Sequence, residues 1–266
     1  MSTPIITFLS DFGREEWFVG VVHGVIGELC PEARVVDLSH DIPLGNVARA
    51  AFILEAAAPD FAPGTIHLAV VDPGVGTQRR ALAVRARGQF FVGPDNGLLE
   101  WALADPEARA HSIGEAENLR RPVSPTFHGR DVFAPIAAQL AHGAAVEDLG
   151  PAVIDPHRLP LSAPHLEGSE LVGQVMLIDR FGNALTNLTA ETLEHVFAGV
   201  PEARLEVRVA GRTLRGLSRT YEEAPRGTLV ALLGSSRRLE IAQVGGDAGT
   251  RLGLGEGDEV RVALGG

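Results

Sequence analysis

Cysteine is all but absent: Cys30 is the single one among 266 residues. A lone thiol excludes an internal disulfide and any zinc cluster built from cysteines. Long apolar runs are missing too, and none approaches the roughly 20 residues that a membrane-spanning helix needs. The opening Met1-Ser2-Thr3-Pro4 carries no basic segment or secretion-type apolar core and leads straight into a strand-like run. These features predict a cytoplasmic protein with no membrane partner. Positive charge is in deficit: 23 Lys and Arg against 34 Asp and Glu leave a net charge of −11. That balance argues against nucleic acid as a partner through a general basic surface, and it suits a cationic ligand. No internal repeat or low-complexity tract is present. With 45% hydrophobic residues the chain can fill a core, and its length fits one large domain or two modest ones.

The first half alternates strand and helix signals. Ile5–Leu9 is a short apolar run ending at Ser10-Asp11-Phe12-Gly13. Apolar residues then recur at helical spacing from Trp17 to Leu29 (Phe18, Val21, Val22, Val25, Ile26), with Pro31 as the stop. Arg34–Leu38 reads as a strand, Asn46–Ala58 as an Ala-rich helix capped by Asn46, and Thr65–Val71 as a β-branched strand running into Asp72-Pro73-Gly74-Val75-Gly76. Ala81–Arg87 and Gln89–Val92 form a strand pair joined at Gly88. Short helices follow at Leu98–Leu103 and Asp131–His142, the latter with Pro135 in its first turn. Such alternation predicts an α/β domain with a largely parallel sheet. The prolines and glycine of Leu159–Gly168 read as a linker. Beyond it, strand signals dominate (Leu171–Ile178, Arg204–Val209, Thr228–Leu233, Leu239–Val244, Glu259–Val262), as in a small antiparallel barrel or sandwich. The expected boundaries are an N-terminal domain over 1–163 and a C-terminal one over 169–266.

In an open α/β sheet, ligands bind outside the carboxyl ends of the strands. Asp11 and Asp72 both fall there. A carboxylate in that place can hold a ribose diol or a cation, or merely cap a turn. Two glycines and a proline around Asp72 fix a tight loop that lets a ligand approach the backbone. Arg79 lies within reach of Asp72 across that loop, although Arg79-Arg80 alone reads as a solvated pair at a strand start. His128 precedes a helix and by itself reads as structural. A metal site from His40, Asp41 and Asp72 has no supporting ligand spacing. In the second half, Asp179-Arg180-Phe181-Gly182-Asn183 ends a strand with an aromatic that could stack on a purine and an amide that could bond its edge. Gly234-Ser235-Ser236 offers hydroxyls to a carboxylate.

Taken in order, the motifs Leu9-Ser10-Asp11-Phe12-Gly13, Ser39-His40-Asp41-Ile42-Pro43, Val71-Asp72-Pro73-Gly74-Val75-Gly76, Val92 through Leu99, Phe127-His128-Gly129-Arg130-Asp131 through Pro135, Asp179 through Asn183 and Ser235 through Ala242 resemble the S-adenosylmethionine (SAM) hydroxide adenosyltransferase family. That family also contains the SAM-dependent chlorinases and fluorinases. The resemblance implies an N-terminal α/β domain, a smaller C-terminal β-barrel, and a homotrimer holding SAM between subunits. It implies that Asp11 holds the ribose hydroxyls, Asp179 meets the methionine ammonium, and Ser235 or Ser236 meets its carboxylate. Phe181 and Asn183 would receive adenine, with Glu240 and Gln243. Gln243 departs from the small aliphatic residue expected there, and Gly245-Gly246-Asp247 from an Asn-rich run.

The resemblance further implies that Asp72, Arg79 and His128 position an attacking water. The fluorinase type carries hydroxyl side chains where this chain has Asp72, Val75 and Gly129, and an inserted loop after the position of Arg79. Asp72 would repel a halide and suits water, so hydrolysis of SAM to adenosine and methionine is expected over halogenation. SAM is then the substrate, and neither a cofactor nor a metal is expected. A non-catalytic SAM or adenosine sensor is the reading from another class; it would not require Asp72, Arg79 and His128 together.

Overall fold

The computed structural model describes residues 3–114, 119–159 and 163–265. The chain divides into two compact units, Met1–Pro160 and Leu161–Gly266. In the first, the elements run β1 (Ile5–Ser10), α1 (Phe18–Leu29), β2 (Arg34–Ser39), α2 (Val47–Ala57), β3 (Ile66–Val70), β4 (Ala81–Ala86), β5 (Gln89–Pro94), α3 (Glu100–Leu103) and β6 (Arg109–Ser112). A π-helical turn, Gly129–Phe133, then leads into α4 (Ala134–Ala141).

The sheet order is β2-β1-β3-β5-β4-β6. The ladder from β2 through β5 is parallel, whereas β4 pairs antiparallel with both β5 and β6. The expected largely parallel sheet is thus corrected to a mixed one. The cause is local: β4 and β5 are joined by Arg87 and Gly88, both at positive φ (52° and 74°), which makes a two-residue hairpin instead of a helical crossover.

Each face of the sheet buries its own layer. Ile6, Phe8, Ile66 and Leu68 point to α1 and α4, meeting Val22, Ile26, Phe133 and Ile136. Leu9, Ala69, Leu82 and Phe91 point the other way, to Ala50, Leu54 and Leu99 near α2 and α3. Asn46 caps α2 as expected, its Oδ1 accepting from Arg49 N at 2.9 Å.

The described residues of the second unit form an antiparallel, nearly closed barrel. Its elements are β7 (His165–Glu167), β8 (Glu170–Ile178), β9 (Ala184–Thr189), α5 (Ala190–Val196), β10 (Leu205–Val209), β11 (Arg212–Arg215), β12 (Leu229–Leu233), β13 (Arg238–Gln243), α6 (Ala248–Leu252) and β14 (Glu259–Leu264). The path is β11-β10-β14-β8-β9-β13-β12, and Ser218 N donates to Ala231 O at 2.7 Å just past β11, almost closing the ring. Within it, Val175, Leu188, Val207, Ile241 and Val262 share one core. The expected linker overlaps β7, which pairs with β8, while residues 160–162 of that stretch lie outside the described residues.

A polar pair sits inside the first unit's core. His67 on β3 accepts or donates at Nδ1 with Thr7 Oγ1 (2.8 Å) and stacks on Phe91 at 4.9 Å. Burial pushes its pKa down to about 4. The unfolded chain therefore binds a proton at His67 that the fold refuses between pH 6.5 and 4. Stability from this residue is present above pH 6.5 and falls as pH drops toward 4, by roughly 3 kcal/mol at one unit per 1.36 kcal/mol. Urea denaturation at stepped pH should show this slope in the native chain and a shallower one in His67→Gln.

Candidate active site

Strand order locates the site. From β1 the chain crosses to β2 on one side, then returns to β3 on the other, so the direction of winding reverses between β1 and β3. Parallel sheets open a crevice at the carboxyl ends of such strands. Ser10 pairs with Val70 in register; Asp11 follows Ser10 directly, and Asp72 comes two residues after Val70, both at the lips of that crevice. A pocket of about 530 Å³ lies there, lined by Asp11, Phe12, Phe18, Leu44, Gly45, Asp72, Val75, Phe127, His128 and Gly129 among others. Its size suits a small-molecule ligand.

Asp72, Arg79 and His128 are bonded in a row. Arg79 Nε donates to Asp72 Oδ1 at 2.9 Å and Oδ2 at 3.1 Å, and Arg79 Nη2 donates to the same Oδ2. The Asp72 and Arg79 side chains are only 6% and 11% exposed. The reading of Arg79 as a solvated residue is thereby corrected. Its guanidinium lies over the Phe133 ring at 5.3 Å, where a flat cation packs well. Arg80 is tied as well, to Asp95 and Asp155, each at 2.7 Å.

Arg79 Nη2 also meets His128 Nδ1 at 2.7 Å. A guanidinium has only donors, so Nδ1 must accept, and the ring proton sits on Nε2. Burial, and then the charge of Arg79, hold the His128 pKa below its usual value, which fits a neutral ring. Across the pocket, Asp11 Oδ2 accepts from Gly45 N at 2.8 Å. Its pKa is raised, chiefly by burial and further by the negative charge of Asp72, while the Gly45 bond opposes the rise.

The loop that carries Asp72 is fixed by close backbone contacts. Asn96 Nδ2 donates to Val71 O at 2.9 Å, just before Asp72. Gly76 has φ 76°, and a Cβ there would lie 2.3 Å from Pro125 O. A Cβ on Gly129 would stand 3.0 Å from the Phe12 ring. His40 and Asp41 do not join Asp72 in a cation site: His40 Nδ1 bonds Ser10 Oγ (2.7 Å), and Asp41 faces Arg14 (3.3 Å).

The remaining candidates lie in the barrel unit. Asp179 accepts from Phe181 N and Asn183 N, both at 2.8 Å, and from Asn183 Nδ2 at 3.1 Å. That turn leaves Phe181 78% exposed and buries Asn183. Ser236 Oγ is buried without a hydrogen-bond partner, whereas Ser235 is exposed. Glu240 is buried, takes a hydrogen bond from Tyr221 Oη at 2.6 Å, and has its pKa raised by burial, with the charge of Asp179 adding to the rise. Its carboxylate fills the space beside Gly234, where a Cβ would clash. Gln243 is engaged locally: with its amide oriented to satisfy both ends, it donates to Asp247 O (3.2 Å) and accepts from Arg251 Nη1 (2.9 Å). Sequence reasoning missed Phe12, Leu44, Gly45 and Tyr221. The turn signal Pro43-Leu44-Gly45-Asn46 pointed to Gly45, but nothing local marked Tyr221, whose partner is 19 positions away.

The chain matches the SAM hydroxide adenosyltransferase N-terminal domain over residues 6–150 and the C-terminal domain over residues 173–261, and it is a member of that family. Within it, a Thermus thermophilus protein named (R)-S-adenosyl-L-methionine hydrolase is 45% identical, over 97% of this chain and 98% of its own. A Salinispora arenicola protein of the same name is 41% identical, over 99% of both chains. Proteins named fluorinase are more distant, that of Nocardia brasiliensis at 28%. A solved structure of an uncharacterized conserved protein from Thermotoga maritima superposes with a TM-score of 0.90 at 34% identity, covering 97% of this chain and 99% of that one.

Gly76→Ala should lose about 1–3 kcal/mol of stability, since it adds both strain and a clash. Gly20→Ala, on the exposed face of α1 with nothing within 4 Å of its new Cβ, should gain up to about 1 kcal/mol. Thermal unfolding of both variants checks the contrast.

Proposed function

We propose that this chain is a SAM hydrolase: water attacks the ribose 5′ carbon of SAM in line with the carbon–sulfur bond, releasing adenosine and L-methionine. The observation that carries the reading is the Asp72–Arg79–His128 row, whose Asp72 and His128 line the switch-point pocket together with Asp11. The full-length relatives named for this activity support it.

Methionine leaves from a sulfonium as a neutral thioether, so no general acid is required. The barrier is lowered by aiming the nucleophile and excluding competing water. Asp72, clamped by Arg79, accepts a hydrogen bond from the attacking water and carries off its proton. Arg79 holds that carboxylate in one orientation. His128 has Nδ1 engaged by Arg79, so it acts through its Nε2–H as a donor that orients water, not as a base. Asp11 accepts from the ribose diol. A carboxylate at the nucleophile position disfavours a halide, and Gly129 gives no hydroxyl to bind one.

In the same reading, the methionine carboxylate bonds the Ser236 hydroxyl, its ammonium meets Asp179, and adenine packs on Phe181 near Asn183. Glu240 adds negative charge beside Asp179, which fits the ammonium better than adenine. Ser235 and Gln243 are the weaker contacts, one exposed and one engaged locally. The assembly is a homotrimer that shares SAM between subunits, working in the cytoplasm without nucleic acid or a cofactor.

Purified chain incubated with SAM, with and without chloride, should give adenosine and methionine in both cases. A 5′-halogenated adenosine would move the assignment to halogenation, and bound SAM without product would move it to a sensor. Asp72→Ala, Arg79→Ala and His128→Ala should each lower kcat by about 100-fold or more while SAM still binds.

The pH profile has a defined sign. Activity needs neutral His128, so it should persist below pH 6.5 and fall only as pH drops through the lowered pKa of that ring. Protonation of Asp11, whose pKa lies above 3.8, adds a second acid loss that should remain in His128→Gln.

A further inference from the structure

Behind the pocket wall, on the α1 face of the sheet edge, three side chains converge that the proposed chemistry does not use. His23 stands on α1, Asp37 on β2, and His40 just past the end of β2. One ligand atom from each lies within 4.8 Å of the others. His23 Nε2 is 2.8 Å and His40 Nε2 is 3.1 Å from the same oxygen, Asp37 Oδ1. Donor atoms held by one zinc ion at about 2.0–2.1 Å, and 90–109° apart, are themselves about 2.8–3.4 Å from each other. The two measured edges fall in that range.

His40 supplies an independent observation. Its side chain is 1% exposed, and its Nε2 has no aligned hydrogen-bond partner despite the nearby carboxylate. That nitrogen stands 3.1 Å from Asp37 Oδ1 with its hydrogen-bonding capacity unspent. Its other nitrogen, Nδ1, is 2.7 Å from Ser10 Oγ. Donation from Nδ1–H to that hydroxyl leaves the Nε2 lone pair free to bind a cation, as a metal-ligating histidine requires. Phe8 walls the cluster, 4.6 Å from the His40 ring and 6.1 Å from the His23 ring. Asp37 and His23 remain partly open to solvent, which gives an ion a way in.

We propose that His23, Asp37 and His40 form a binding site for a divalent transition metal of the zinc type, with water completing the coordination. Two imidazoles and a carboxylate are the donor set such ions favour over Mg²⁺ or Ca²⁺. The role is structural. Ser10 precedes Asp11 directly, and His40 O accepts from Gly13 N at 2.9 Å, so an ion fixing His40 braces both ends of the Asp11–Phe12 segment.

The test uses full-length, tag-free protein stripped with EDTA and dialysed against ZnCl₂, with metal content and thermal unfolding as readouts; neither depends on SAM turnover. One zinc per chain is expected, with a rise in Tm. His23→Ala changes a partly exposed side chain, so it should fold normally, bind zinc about 10-fold or more weakly and lose the rise. CoCl₂ should give visible absorption bands that the same substitution removes. No stoichiometric zinc, or zinc retained in His23→Ala, overturns the proposal. Zinc lost in His142→Ala instead would assign the ion to the Cys30, Glu32 and His142 group and would equally overturn it.

Discussion

The Arg79 guanidinium is the joint on which the candidate site depends. It holds both oxygens of Asp72 with one edge and His128 Nδ1 with another, while its face rests on Phe133. Three separate segments of chain are thereby set by one rigid, permanently charged plane. A lysine could neutralise Asp72, but its point charge could not grip a carboxylate at two oxygens and also fix an imidazole tautomer. Because Arg79 can only donate, His128 has no freedom in which nitrogen carries its proton. The geometry of one side chain thus decides the chemical role of another.

The loop around that joint is specified as tightly by what is missing. Gly76 passes so near Pro125 O that no side chain fits, and its positive φ would be strained in any other residue. Gly129 leaves room for Phe12, which packs edge-on against both Phe8 and Phe127. Small residues let two walls of the pocket meet, and the aromatic cluster then fills the space. Asn96 binds Val71 O from the neighbouring turn and stops the β3 exit from shifting.

Much of this was legible in the chain itself, where burial writes a pattern. Ile5–Leu9 and Thr65–Val71 announce buried parallel strands, and α1 and α4 show helical spacing. What escaped were strands whose sequence is polar or short. Arg109–Ser112 is an edge strand, and in Ala184–Thr189 only alternate residues enter the core. The sheet was expected to be largely parallel because nothing in the composition of Ala81–Ala86 distinguishes an antiparallel partner; only the hairpin at Arg87-Gly88 does. Asp11 and Asp72 could be placed from strand ends alone. Arg79 could not, because a pair of arginines looks the same whether it faces water or, as here, splits between two different carboxylate networks.

The barrel unit shows why charge matters more there than contact count. Asp179 and Glu240 share one electrostatic neighbourhood, and each has spent part of its bonding capacity internally, Asp179 on its own turn and Glu240 on Tyr221. The charge that acts on Glu240 is the like charge of Asp179. Burying Glu240 next to Asp179 disfavours its charged form, and a positive ligand group arriving at that place would relieve the cost. Tyr221 reduces the cost meanwhile by donating to the carboxylate. In the proposed function such a pair suits an ammonium in a way that Gln243, satisfied at both ends of its amide by Asp247 and Arg251, does not. The acidic surplus of the whole chain is diffuse, but here two carboxylates stand together and one of them is buried, which is the ground on which the proposed reading places a cationic group beside them.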